Sequence, residues 1–139
     1  MVIDASAAVA WSLPSQQTAS AMAFLQRAKG KFTAPWYFGV EFRNVMLRAE
    51  KRRLISRETA ESAVSDTMQL VELAAPPSAA SLDEIQRLAR REGLTHYDGH
   101  YLDLALAKGS PLATRDQALI QVCDRLGIEV HDLRDETSE

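Results

Sequence analysis

The stretch "PLATRDQALIQVCDRLGIEV", residues 111–130, decides the fold prediction. It reads as a short apolar strand, PLAT, then a helix that begins at Asp116 and runs to Gly127, then another short strand, IEV. Short strands separated by helices are typical of a parallel sheet with crossover helices. The stretch therefore predicts an α/β fold, with Asp116 placed just beyond the carboxyl end of a strand.

The rest of the chain repeats this alternation. Further strands are predicted in MVI, KFTAP and QLVEL, and Ser56 is predicted to cap a helix that runs towards Met68. Other helices are predicted in AMAFLQRA, in PWYFGVEFRNVMLRAEKRR and in SLDEIQRLARREG with Ser81 as its cap. A further helix is predicted in YDGHYLDLALAKG from about Asp98, with four residues facing the core: Tyr101, Leu102, Ala105 and Leu106. We expect a three-layer α/β/α sandwich with a mainly parallel central sheet, formed by one domain over residues 1–134 with a polar tail at 135–139.

Composition excludes several classes of protein. The 139 residues are 46% hydrophobic and 25% charged, which is ordinary for one folded domain. The net charge of −3 does not indicate a nucleic-acid binder, so any polyanion must meet a local basic patch. The single cysteine, Cys123, excludes an internal disulfide and is expected to be buried. No run approaches the roughly 18 apolar residues of a membrane span, and we expect a cytoplasmic protein without membrane contact.

Four carboxylates occupy positions at which a functional site is expected in such a fold. Ligands of open parallel sheets bind beyond the carboxyl ends of the strands, and Asp4 and Asp116 follow two predicted strands. Asp98 lies at the predicted start of a helix. Glu41 lies on the shoulder of an apolar helical stripe, with no cation three or four residues away. The four acids can converge on one rim of the sheet, although their spacing alone does not establish it.

Each acid also has a purely structural explanation. Asp4, Asp98 and Asp116 can each cap a helix, a common role for an aspartate in that position. Glu41 can extend from the edge of its stripe to water. The number of acids therefore does not decide between a structural role and a functional site.

Polar companions favour a metal-site hypothesis. Ser6 lies two residues after the first acid, Thr114 two residues before the last, and Asn44 one helical turn from the glutamate. Carboxylates, hydroxyls and amides are the oxygen ligands of hard divalent cations. Acids that converge must be relieved of their repulsion by protonation or by a cation, and Mg²⁺ or Mn²⁺ serves near neutral pH.

Four blocks of this sequence resemble the PIN domain, and more narrowly the VapC-type toxin ribonucleases of toxin–antitoxin pairs. The blocks occur in the family's order and span nearly the whole chain: VIDASAAVAW, PWYFGVEFRNVMLRAEKRRLIS, GLTHYDGHYLDLALAKGSPLATRDQAL and GIEV. Each of the first three blocks carries at least one acid. The resemblance implies a PIN-like α/β/α sandwich with an acidic pocket that binds Mg²⁺ or Mn²⁺.

The resemblance also implies roles for single residues. The family's pocket acids, which act in catalysis and as metal ligands, fall on Asp4 in DAS, Glu41 in VEFRNV, Asp98 in YD and Asp116 in TRD. Ser6 and Thr114 match supporting hydroxyl positions, and we add Asn44 as a supporting amide.

The resemblance further implies a function and partners. It implies an endoribonuclease toxin that hydrolyses RNA phosphodiester bonds, forms a homodimer and is inhibited by a small cognate antitoxin. Contact with operator DNA is expected only through the complex with the antitoxin.

Basic side chains outside the acidic pocket are expected to bind the RNA. We consider Arg48, Arg52 and Arg53 beyond the glutamate, and His100, which stands where relatives often have a small residue. The alternative is that these side chains are simply solvated, and for His100 we regard the solvated state as the more plausible. A second departure, Asp103, is expected to be solvated as well.

Two other functions stay open on the sequence. A phosphatase with an aspartyl nucleophile also places an aspartate after its first strand, but it typically needs a second aspartate two residues on, where this chain has Ser6. A binding module that acts mainly in an antitoxin–operator complex is expected to have lost a pocket acid, and none of the four is missing here.

Overall fold

The computed structural model describes residues 1–28 and 31–134, so the predicted tail at 135–139 lies outside the described residues. Five strands form one sheet in the order β3-β2-β1-β4-β5, and every neighbouring pair is parallel. The strands are β1 (Val2–Ile3), β2 (Phe32–Ala34), β3 (Val71–Leu73), β4 (Leu112–Thr114) and β5 (Val130–Asp132). The α/β prediction with a parallel sheet is confirmed.

Helices flank this sheet and connect its strands. They are α1 (Ala5–Ser12), α2 (Ala19–Arg27), α3 (Phe38–Lys51), α4 (Arg57–Leu70), α5 (Ala79–Glu92), α6 (His96–Lys108) and α7 (Gln117–Leu126). A short 3₁₀ turn, Pro14–Gln16, follows α1. The chain builds the sheet outwards from β1 to β3 and then returns to place β4 on the other side of β1. The strand order therefore reverses between β1 and β4, which is where open parallel sheets bind ligands.

Several boundaries differ from the sequence prediction because other residues cap the helices. The cap of helix α5 lies three residues before the predicted one, since the Ser78 hydroxyl accepts a hydrogen bond from the Ser81 amide. Helix α6 begins at His96, since the Thr95 hydroxyl accepts from the Asp98 amide. Asp98 is therefore a first-turn residue of α6, and the capping explanation for it was wrong.

The core confirms most of the predicted apolar faces. The α3 stripe is buried through Phe38, Phe42, Met46 and Ala49, and Cys123 in α7 is fully buried. Other residues depart from the prediction. Leu106 of α6, expected to face inward, is 46% exposed because it lies beyond the helix face that contacts the sheet. In the described ranges, no helix has the length and apolar character needed to cross a membrane.

A close contact between α5 and α6 fixes the position of Asp98. A methyl group on Gly99 would lie 3.0 Å from Ala89 Cβ and 3.3 Å from the Ile85 carbonyl oxygen. Both neighbours are held by the α5 backbone, so neither can turn away as a long side chain would. Glycine at 99 thus lets α6 pack closely on α5 immediately after Asp98.

We expect Gly99→Val to lower the free energy of unfolding by about 1–3 kcal/mol, because the added atoms overpack this contact. Ala107→Val is the matched control, since it places the same side chain on the exposed part of α6 and carries only a helix-propensity cost of up to about 1 kcal/mol. Urea unfolding of both variants measures the difference. Equal losses in the two variants would show that the α5–α6 contact tolerates a larger residue.

Candidate functional site

Asp4 lies at the centre of a hydrogen-bond network at the carboxyl end of β1. It caps α1, because its Oδ1 accepts a hydrogen bond of 2.9 Å from the Ala7 amide. The same oxygen accepts one of 2.7 Å from the Ser6 hydroxyl, and Oδ2 accepts one from the Thr114 hydroxyl. Only 5% of Asp4 is exposed. Capping and membership of a site are therefore not alternatives for this residue, since it does both.

The Thr114 and Ser6 hydroxyls join the ends of β1 and β4. Their oxygens lie 3.3 Å apart, and Thr114 Oγ1 also accepts a hydrogen bond of 2.9 Å from the Asp116 amide. Ser6 Oγ accepts one of 3.0 Å from the Arg115 amide. Asp116 in turn caps α7 through the Leu119 amide, at 3.0 Å. The two predicted hydroxyls thus hold the backbone before Asp116 against the Asp4 carboxylate.

Glu41 points from the first turn of α3 towards α6. Its Oε1 accepts a hydrogen bond of 2.9 Å from the Tyr101 hydroxyl, and the residue is half-buried. The side chain therefore does not extend freely into water. Burial raises the pKa of Glu41, the hydrogen bond from Tyr101 opposes that rise, and the charge of Asp98 adds to it.

Asp98 couples the acids electrostatically. Partial burial raises its pKa first, and the negative charge of Asp116 raises it further. Asp98 in turn raises the pKa values of Glu41 and Asp4. For Asp4, burial is the main cause and lifts the pKa to about 6, against the hydrogen bonds of Thr114, Ser6 and Ala7. The acids that follow β1 and β4 and those on α3 and α6 are therefore near enough for their charges to affect one another.

The donor set has the chemistry of a hard divalent cation site. All four acids offer carboxylate oxygens, and their mutual repulsion is the kind that a bound cation relieves. Over residues 1–28 and 31–134, no three acids, histidines or cysteines are grouped closely enough to hold one ion together. The oxygen chemistry thus fits Mg²⁺ or Mn²⁺, with the acids coupled by charge and held on separate elements.

Other predicted site residues lie outside this network. Asn44 is exposed on α3 and makes no hydrogen bond to the acids in the described part of the chain. The side chains of Arg48, Arg52 and Arg53 are exposed towards the end of α3 and just after it. Arg48 lies about 10 Å along the helix axis from Glu41 and the other two lie further away, at 1.5 Å per residue.

His100 differs from its sequence interpretation. It is only 7% exposed, so the expectation of a solvated histidine was wrong. Its ring packs edge-on against Tyr37 with centroids 5.2 Å apart, and its Nε2 lies 2.9 Å from His96 Nε2. Burial and then the neighbouring His96 lower the pKa of His100. Asp103, expected to be solvated, is partly buried, and its pKa is raised by that burial and by Glu84.

The sequence analysis did not predict that two tyrosines lie beside the acids. Tyr101 was assigned to the core, yet its hydroxyl holds Glu41. Tyr37 is buried, and its hydroxyl donates a hydrogen bond of 2.6 Å to the Tyr97 carbonyl. Burial, followed by the charges of Glu41 and Asp98, raises the Tyr37 pKa well above its usual range. Tyr101 follows Asp98 by three residues, the spacing of one helix face, and that was the available signal.

Acidic side chains at the strand-order reversal of a parallel sheet define an α/β protein with a candidate ligand site at that edge. A family model, the PIN domain, matches residues 1–125. The chain belongs to the PIN-domain family, whose members are nucleases. No curated protein sequence matches it significantly.

Two solved structures share the fold. The first is PAE2754 from Pyrobaculum aerophilum, with a TM-score of 0.66 and 21% identity over 87% of this chain and 84% of that one. The second is FitAcB from Neisseria gonorrhoeae, with a TM-score of 0.63 and 18% identity over 94% of this chain and 96% of that one. At these identities the similarity concerns the fold.

Stability without divalent cations is expected to fall as the pH rises. The folded pKa of Asp4, about 6, exceeds its ordinary value of 3.8, so the folded chain holds a proton that the unfolded chain has lost. Between about pH 4 and pH 7, the ionisation of Asp4 lowers the free energy of unfolding by up to about 3 kcal/mol. The raised pKa values of Glu41 and Asp98 lower it further.

Asp4→Asn should make this decline shallower, because the variant has no charge to bury at that position. Urea unfolding in EDTA at about pH 4.5 and about pH 7 measures the effect, within the interval that the linkage relation defines. Glu72→Gln, at an exposed position on β3, is the control. An identical pH dependence in the wild type and Asp4→Asn would contradict the buried charge.

Proposed function

We propose that this chain is a metal-dependent endoribonuclease that hydrolyses RNA phosphodiester bonds, with Asp4, Glu41, Asp98 and Asp116 as its catalytic and metal-binding acids. The observation that supports it most is the electrostatic coupling of these acids at the strand-order reversal of a PIN-family chain. Membership of a nuclease family supplies the reaction class. The four-block resemblance supplies RNA as the substrate.

The four acids differ in exposure and in hydrogen bonding, so we assign them different roles. A bound Mg²⁺ or Mn²⁺ supplies a water of lowered pKa and offsets charge on the phosphate. Asp98 and Asp116 are partly exposed and can approach such an ion, whereas Asp4 is fixed by its hydroxyl and amide donors. Tyr101 holds the Glu41 carboxylate on the pocket side of α3. The chain thus presents two fixed and two more accessible carboxylates.

The phosphatase alternative has less support. An aspartyl nucleophile needs a carboxylate oxygen free to attack phosphorus, and both oxygens of Asp4 accept hydrogen bonds. The position two residues on is occupied by Ser6, whose hydroxyl donates to Asp4. A pure binding module would have no use for four coupled acids. Both observations favour the nuclease.

The partners follow from the same resemblance. We propose a VapC-type toxin that acts in the cytoplasm as a homodimer, is inhibited by a small cognate antitoxin, and reaches operator DNA only in complex with it. Arg48, Arg52 and Arg53 remain our candidates for contacts with RNA phosphates, whereas His100 is buried and is withdrawn as a contact.

Asp98→Asn should lower RNA cleavage in Mg²⁺ or Mn²⁺ at least about 100-fold, because it removes a carboxylate that is proposed to hold the metal ion. Asp103→Asn is the matched control, since it makes the same chemical change on the same helix at a residue whose pKa is affected by the charge of Glu84. Cleavage of labelled RNA is measured with and without EDTA. Full activity of Asp98→Asn, or loss in both variants alike, would contradict the assignment.

Neutralising Arg48, Arg52 and Arg53 together should weaken RNA binding and flatten its salt dependence. Every arginine that binds a phosphate contributes about 0.7 to the slope of log affinity against log salt for single-stranded RNA, so its neutralisation reduces the slope by that amount. Arg57→Ala is the control, because Arg57 is paired with Glu61. Titrations at several salt concentrations measure the slope, and an unchanged slope would remove these arginines from the interface.

A further inference from the structure

Two exposed aromatic side chains border the acidic pocket. Trp36 follows β2 by one residue after Pro35, at the carboxyl edge of the sheet, and is 44% exposed. Tyr97 precedes Asp98 in the first turn of α6 and is 62% exposed. The proposed reaction uses neither ring. They come from different elements and emerge at the same edge as the acids.

Tyr37 holds both rings in place. Its ring centroid lies 5.6 Å from that of Trp36 and 5.4 Å from that of Tyr97, with edge-on packing in both cases. The two outer rings therefore lie no further apart than the sum of these distances. Tyr37 is buried and its hydroxyl is bonded to the Tyr97 carbonyl, so the group has a rigid centre.

The same tyrosine connects the rings to the acids. Its ring contacts that of Tyr101, with centroids 5.8 Å apart, and the Tyr101 hydroxyl binds Glu41. On the other side, Tyr97 is the residue before Asp98. The two rings are therefore linked to Glu41 through Tyr37 and Tyr101, and to Asp98 through the chain.

Nucleobases suit such a position. The acids repel an RNA backbone, and stacking on an aromatic ring attracts a base without requiring a positive charge. Every base has a π-face, but bases inside a duplex are already stacked and paired, so only unpaired bases can use the rings.

We propose that Trp36 and Tyr97 form a stacking platform for unpaired nucleobases next to the scissile phosphodiester. This inference rests on the proposed nuclease function and adds to it the residues that hold the bases beside the acids. The rival occupant is an apolar protein segment, because Val40 is also exposed one turn beyond Trp36. An apolar protein segment could bind any apolar side chain at position 36, whereas stacking of a base requires an aromatic ring there.

The test measures RNA binding apart from cleavage, in the inactive Asp98→Asn chain with Mg²⁺. The probe is a short fluorescein-labelled single-stranded RNA, compared with the same strand in a blunt duplex. Trp36→Ala and Tyr97→Ala should each weaken single-strand binding roughly 5- to 100-fold. Trp36→Phe and Tyr97→Phe should stay close to the parent, and Trp36→Leu should behave like Trp36→Ala.

Two controls come from the chain itself. Leu106→Ala removes an equally exposed apolar side chain near Pro111, at the opposite edge of the sheet, and should leave binding unchanged. The second is intrinsic fluorescence. Of the two tryptophans Trp11 is buried, so RNA should quench Trp36, and the quenching should disappear in Trp36→Phe. Thermal unfolding verifies that each variant is folded.

The outcomes separate this inference from the proposed function. Ring variants that bind single strands as tightly as the parent would overturn the platform, as would a Trp36→Leu variant with full affinity. Ring variants that bind RNA normally but change the oligomeric mass would overturn it as well and assign the rings to a protein contact. Ring-dependent binding without any cleavage by the wild type would support the platform and contradict the nuclease.

Discussion

The Asp4 carboxylate, with its hydrogen bonds to Ser6, Ala7 and Thr114, is the interaction on which the site depends. It joins the end of β1 to the start of α1 and to the end of β4. These two strands are neighbours at the point where the strand order reverses. Without this link, only the strand pairing of β1 with β4 would hold the backbone that carries Asp116 against β1. A single buried acid thus both completes the fold and positions the chemistry.

Keeping these carboxylates buried and near one another lowers the stability of the fold, although the proposed function requires them. Burial alone would favour a neutral Asp4, and Asp98 adds repulsion, so its pKa reaches about 6 despite three favourable hydrogen bonds. Glu41 and Asp98 are shifted in the same direction. A cation bound beside these acids would relieve part of their repulsion, so the proposed metal binding should also stabilise the fold. Strained electrostatics of this kind mark functional sites.

The sequence predicted the parallel sheet and the positions of the strand-end acids, because short apolar runs and capping residues are local signals. Helix starts were displaced where two hydroxyls compete for the cap, as with Ser78 and Ser81. Contacts between distant segments left no local pattern. The bond from Tyr101 to Glu41 and the burial of His100 against Tyr37 arise only when α3 and α6 meet, so both were missed.

The most direct test of the account is the affinity for Mn²⁺, measured by calorimetry on the wild type and on four variants that each neutralise one of the acids. If the acids form one site, Asp4→Asn, Glu41→Gln, Asp98→Asn and Asp116→Asn should each weaken binding at least about tenfold, a cost of about 1.4 kcal/mol. Asp103→Asn should bind like the wild type. Undiminished Mn²⁺ affinity in any of the four, or no binding by the wild type, would contradict the account.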